Sequence, residues 1–189
     1  RCLLLLALLV PLAVPAADYR VGDRLPAAKG AAKGFKEIQW DDLMPKGWDP
    51  MAAFKGVDLY RLQDSDPKAA ELLAKVRIEW DKAPVEPAIN GQRVKIPGFV
   101  VPLERKGDEV IEFLLVPYFG ACVHVPPPPS NQVIHVVPAK PVKGMRTMET
   151  FWVSGTLNLQ GGDSGMGVYA YRLAAERVEP YVVKQGKKQ

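Results

Sequence analysis

Three side chains able to ligate a metal or act as a nucleophile lie within a short stretch: Cys122, His124 and His135. The two histidines are the only ones in the chain, and its other cysteine, Cys2, lies near the N-terminus. Cys122 and His124 are two residues apart, so on a strand they would face the same side. Between His124 and His135 the chain runs through Pro126, Pro127, Pro128 and Pro129, then Ser130, Asn131 and Gln132. A wide hairpin with its register centred between Pro129 and Ser130 would set His135 opposite His124, with Cys122 on the same face. One thiolate and two imidazoles would then converge, a donor set suited to zinc or copper. A one-residue slip in that register moves His135 to the other face. The competing reading makes Cys122 a small buried hydrophobe and the histidines hydrogen-bonded structural groups. A Cys–His nucleophile and base is a third, with Asn131 the group available to orient the imidazole.

The proline run is a second candidate site. It favours polyproline II and donates no backbone N–H. Either it is a preformed ridge for an aromatic-lined groove, or it is a stiff crossover that pins Cys122 and His124, with Tyr118 and Phe119 stacked on it. In the docking reading the recognition surface is Tyr118, Pro126, Pro127, Pro128, Pro129, Asn131 and Gln132. Two other stretches carry less. Gly161–Gly165 lacks the Gly-Lys-Ser/Thr ending and following helix of a phosphate loop. Asp41 and Asp42 lie beside Trp40 and read as a solvated face next to anchoring tryptophans.

These residues must be held by a mainly β scaffold. Strand-like runs cover 92–104, with Pro97-Gly98 as a bend or bulge, then 109–116 after a Lys106-Gly107-Asp108 turn, and 132–137. Further runs cover 150–159, with Gly155 as a candidate bulge, and 168–173, with a resumption over 178–183. Five or six short antiparallel strands predict a small OB-like β-barrel. Ahead of it, Trp40, Leu43, Met44 and Trp48 are spaced for one amphipathic turn ended by Pro45. A helix is predicted over 67–79: Asp66 is a suitable N-cap, Pro67 suits the first helical position, and Ala69, Leu72, Leu73, Val76 and Trp80 form one stripe.

The ends bear on location. Leu3–Val14 is an apolar run followed by small residues, too short to span a bilayer, as in an export signal cleaved near Ala16. The expected organisation is 1–17 signal peptide, 18–84 linker and helical segment, 85–183 β-domain and 184–189 basic tail. Removal of Cys2 would leave Cys122 as a lone thiol in an oxidising compartment. The formal charge of +4 comes without a compact Lys/Arg block, so nucleic-acid binding has little electrostatic support.

PGFVVPLE (97–104), FLLVPYFGACVHVPPPPSNQ (113–132) and WVSGTL (152–157) resemble a bacterial envelope family, domain-of-unknown-function family 3299. The resemblance runs from about residue 38 to 181. It carries onto Cys122, His124, Pro126 to Pro129, Asn131 and Gln132, but not onto His135. It implies an exported, periplasmic protein of Gram-negative bacteria. It also implies an accessory role near ABC-transporter components in loci linked to zinc limitation, with no catalytic constellation. The function expected is a binding or accessory protein of such a system. The alternatives are a metal-free module that docks a membrane partner through the proline loop, or an envelope thiol enzyme.

Overall fold

The computed structural model describes residues 19–25, 34–52, 55, 67–124 and 127–182. The leader with Cys2, the Asp66 cap, Pro126 and the basic tail lie outside these residues.

The protein is mainly β, with seven strands: β1 (Lys36–Glu37), β2 (Gln92–Lys106), β3 (Glu109–Val116), β4 (Ile134–Pro138), β5 (Val142–Lys143), β6 (Thr150–Asp163) and β7 (Val168–Pro180). The α-helix α1 (Pro67–Asp81) precedes β2. The strands hydrogen-bond in the order β1-β2-β6-β7-β4-β3-β5, and a further β2–β3 pairing closes β2, β6, β7, β4 and β3 into a ring. Within the ring the pairings are antiparallel except β4 with β7, which is parallel. A parallel pair needs a long connection between its strands. Here it spans from the end of β4 to the start of β7, and β6 lies within it.

Alternation along the strands divides the buried residues between two faces. Val94, Ile96, Val100, Phe113, Leu115, Ile134, Val136, Val153, Leu157, Tyr171 and Leu173 fill the inside of the ring. Phe99, Val101, Leu114, Val116, Val133 and Cys122 form a second cluster on the outer face of β2–β3, roofed by Tyr19, Leu25, Tyr118 and Phe119.

Pro97 and Gly98 sit inside regular β2–β6 register, opposite Trp152 and Phe151, so no bulge forms there. The Pro97 carbonyl accepts a hydrogen bond from Trp40 Nε1 at 2.8 Å, away from β6. Its missing N–H therefore falls on an edge between the end of the β1 pairing at Lys95 and the start of the β3 pairing at Phe99. A Cβ on Gly98 would stand 2.7 Å from Leu115 Cγ, so this glycine is what lets β2 cross β3. The bulges of β2 come later, around Glu104. The bulge expected at Gly155 is present, and a Cβ there would run into the Ala174 backbone.

The N-terminal segment plugs one end of the ring. Trp40–Leu43 forms a 3-10 turn whose Trp40 and Leu43 are buried. Tyr171 Oη donates to the Leu43 carbonyl at 2.6 Å and accepts from Glu86 N at 2.8 Å. Gln132 Nε2 donates to the Trp40 carbonyl at 2.9 Å. By contrast, α1 buries only Ala69 and Val76 among its described side chains, while Leu73 and Ile78 are exposed. The apolar stripe read from sequence thus reaches the core at two positions. No described helix is long and apolar enough to cross a membrane.

Candidate functional site

The loop that follows β3 is built by its glycines and by a neighbouring turn. Gly22 N donates to the Phe119 carbonyl and Phe119 N to the Asp23 carbonyl, both at 2.9 Å, which ties residues 22–23 to the loop. Gly120 adopts φ +90°, and its N–H points at Met148 Sδ, 3.1 Å away. The chain then folds back, with His124 N donating to the Gly120 carbonyl at 2.8 Å. Cys122 lies within this turn at φ +63°, a left-handed conformation that costs an L-residue roughly 1–2 kcal/mol. Burial of its side chain against the outer cluster offsets that cost.

Cys122 is 8% exposed. Gly167 packs so closely that a Cβ there would sit 3.3 Å from Cys122 Sγ and 3.1 Å from Pro127 Cβ. Burial pushes the thiol up to about 11, against the smaller opposing effect of the Arg77 charge. Held in its protonated form at neutral pH, the thiol is not an activated nucleophile. The same Arg77 donates from Nη1 to the Pro127 carbonyl at 3.2 Å and pairs through Nη2 with Asp81 at 2.8 Å.

His124 is exposed, its ring 6.4 Å from that of Phe119. His135 is elsewhere. It lies on β4 between Leu114 of β3 and Arg172 of β7, with Nε2 2.9 Å from Glu112 Oε2 and its ring 4.8 Å from that of Tyr169. Its Nδ1 is buried with no hydrogen-bond partner within the protein.

The hairpin expected to set His135 opposite His124 does not form. Cys122 and His124 are in a turn, and β4 pairs with β3 and β7 instead. The physical reason is that a left-handed Cys122 cannot continue a strand, and β4 is already saturated on both edges. Among the described residues no group of three or more His, Cys, Asp or Glu side chains is placed to hold a metal ion. The convergent set of Cys122, His124 and His135 for zinc or copper is therefore not assembled in this structure.

The proposed recognition surface divides in the same way. Tyr118 and Pro127 are half-buried, but Pro128, Pro129, Asn131 and Gln132 are buried. Asn131, fully buried, donates from Nδ2 to the Pro84 carbonyl at 2.8 Å. With the Gln132 bond to Trp40, it staples the loop to the N-terminal segment. These four residues are corrected from surface to interior; the Asn131 and Gln132 amide nitrogens bond within the fold, while their amide oxygens are buried with no hydrogen-bond partner within the protein. What the loop presents outward is Val123, 39% exposed, beside His124. Met166, 41% exposed, lies on the β6–β7 turn next to Gly167, and Val21 touches the loop at Gly120.

Sequence reasoning missed Glu112, Tyr169 and Arg77. Glu112 had a signal, an acid flanked on both sides by apolar residues within the strand run Val110 to Val116. Arg77 carried only an i,i+4 partner in Asp81, which reads as helix-surface charge.

A search among curated proteins gave no match. The chain is similar to a crystal structure of a DUF3299 family protein from Pseudomonas aeruginosa PAO1, at 36% identity and a TM-score of 0.63. That match covers 82% of this chain and 100% of the other. The profile of the protein family of unknown function DUF3299 matches residues 40–180, and it is to this family that the chain belongs.

Proposed function

We propose that this is an exported, periplasmic accessory protein of an envelope transport system of the ABC type, and that it works by docking a partner protein rather than by catalysis. One observation carries the reading. Three chain segments, 20–24, 118–124 and 164–167, meet around the buried Cys122 and Gly120, and each presents one large exposed apolar side chain: Val21, Val123 and Met166. Apolar side chains displayed together on a fixed frame mark an interaction site better than the same residues scattered singly. Tyr118 and Pro127 border it. Cys122 serves as an anchor beneath the surface, and the Asn131 and Gln132 amides hold the loop from behind.

Export is supported by the apolar run Leu3–Val14. The transport link is what the resemblance of segments 97–104, 113–132 and 152–157 implies. The test is a photo-crosslinking residue placed at Val123 or Met166 in cells, with Lys140 as a remote control. Crosslinks from the first two positions to a transporter component, lost in a Val123→Asp/Met166→Asp variant, are expected. Crosslinks absent at both positions, or equal at all three, would overturn the docking reading. Zinc bound to the purified protein in stoichiometric amount, and lost on His124→Ala, would favour the metal-linked role instead.

A further inference from the structure

The β6–β7 hairpin overhangs the ring. Pairing of β6 with β2 ends at Leu157, and pairing of β7 with β4 begins at Tyr171, so residues 158–163 and 168–170 project beyond the closed sheet. With Ser130 and the segment that leaves α1, these residues line a cavity of about 450 Å³. Its walls are tied down. The Pro84 carbonyl accepts from Asn131 Nδ2, and Glu86 N donates to Tyr171 Oη. Tyr169 packs on the His135 ring, 4.8 Å away, and against Gly162, where a Cβ would collide with its hydroxyl.

The lining divides by chemistry. Val85, Leu159 and Val168 are apolar, and the first two rest on the core of the ring. Ser130 is 3% exposed, yet among the described residues its hydroxyl has no hydrogen-bond partner. The Tyr169 hydroxyl and the Lys82 ammonium have none either. Asp81, the acid on the wall, is already paired with Arg77 at 2.8 Å. The cavity thus holds three unspent donors, one of them a cation, beside apolar side chains. A buried hydroxyl normally finds a partner, and here the cavity is the side from which one can come.

We propose that this cavity binds a small amphiphilic carboxylate, its head accepting from Ser130, Tyr169 and Lys82 and its chain lying on Val85, Leu159 and Val168. A single unspent ammonium matches a single negative charge, which favours a carboxylate over a doubly charged phosphate monoester. Small-molecule sites have this composition, mostly apolar with a few polar groups that orient the ligand. The site uses none of Val21, Val123 and Met166, so it stands apart from the docking reading.

The test titrates octanoate into the protein by calorimetry, with octanol as a neutral probe of the same chain length. Saturable binding of octanoate with a Kd of about 1 mM or tighter is expected, within reach of a ligand of about ten non-hydrogen atoms. Lys82→Met, at an exposed position, should weaken octanoate about tenfold and leave octanol unaffected. Ser130→Ala should weaken octanoate by a similar factor, and Lys140→Ala, outside the lining, should match wild type. Because Ser130 is buried, the Lys82→Met result and the octanoate-to-octanol ratio decide the matter where Ser130→Ala does not fold. Octanoate that fails to saturate by about 10 mM, or that binds no more tightly than octanol, overturns the site. So does octanoate that binds a folded Lys82→Met as it binds wild type.

Discussion

The ring of five strands and helix α1 are attached to the same protein in opposite ways. Every ring strand bonds to two others, and its inner side chains are shared by all five. Closure removes edges and makes each pairing depend on the rest. Helix α1 satisfies its own backbone and brings two well-buried side chains and one arginine to the interface. Cooperative stability therefore belongs to the ring. The loop bearing Cys122 lies between them, fastened below to the ring and above to α1.

The contrast is broken most severely by emptying the ring. Phe113→Ala should cost about 3–5 kcal/mol in urea denaturation, because a fully buried aromatic is lost where closure hinders collapse. Val76→Ala on α1, which removes two buried carbons, should cost about 1.5 kcal/mol, and equal losses at the two positions would erase the distinction. Tyr171→Phe removes one hydroxyl but leaves the Leu43 carbonyl and the Glu86 N–H without their shared partner, an expected loss of about 2 kcal/mol. Because the plug and ring are coupled by that hydroxyl, the variant should show a separate early phase for residues 38–43 where wild type unfolds in one transition; a variant that still unfolds in one transition would contradict this.

The loop sharpens the comparison through pH. The Cys122 thiol is raised from 9.0 to about 11 in the folded protein. The unfolded thiol thus ionises first, and stability present below pH 9 is lost as pH rises toward 11. At roughly 1.4 kcal/mol per pH unit the loss attributable to this group is about 3 kcal/mol. Cys122→Ala should flatten the stability profile over that window. A variant profile parallel to wild type would mean the thiol is not held as described. The smallest effect is expected from Lys75→Ala, within about 0.5 kcal/mol, as for an exposed i,i+4 pair.

Much of this architecture was legible because local patterns and tertiary demands agree. The alternation through 109–116 placed Phe113 and Leu115 on one face and Leu114 and Val116 on the other, and the ring uses both faces. Pro67 and the spacing of apolar residues marked α1, whose observed end is two residues beyond that expected. The strand boundaries were less visible: β6 extends through Gly161 and Gly162, which pack against Tyr169 across the hairpin on β7, and β7 runs unbroken to Pro180. The site was least legible. Cys122 and His124 differ by two residues, which on a strand means one face, yet in this turn one is buried and the other exposed.

By itself, then, the sequence determined the mainly β class, the helix and the bulge at Gly155, since periodicity, glycine and proline act through neighbouring residues. Only the tertiary structure decided that His135 answers Glu112 and not His124, that Asn131 and Gln132 face inward, and that β4 runs parallel to β7. Those outcomes depend on which strand closes the ring, and that is settled by side chains distant in the chain competing for one interior.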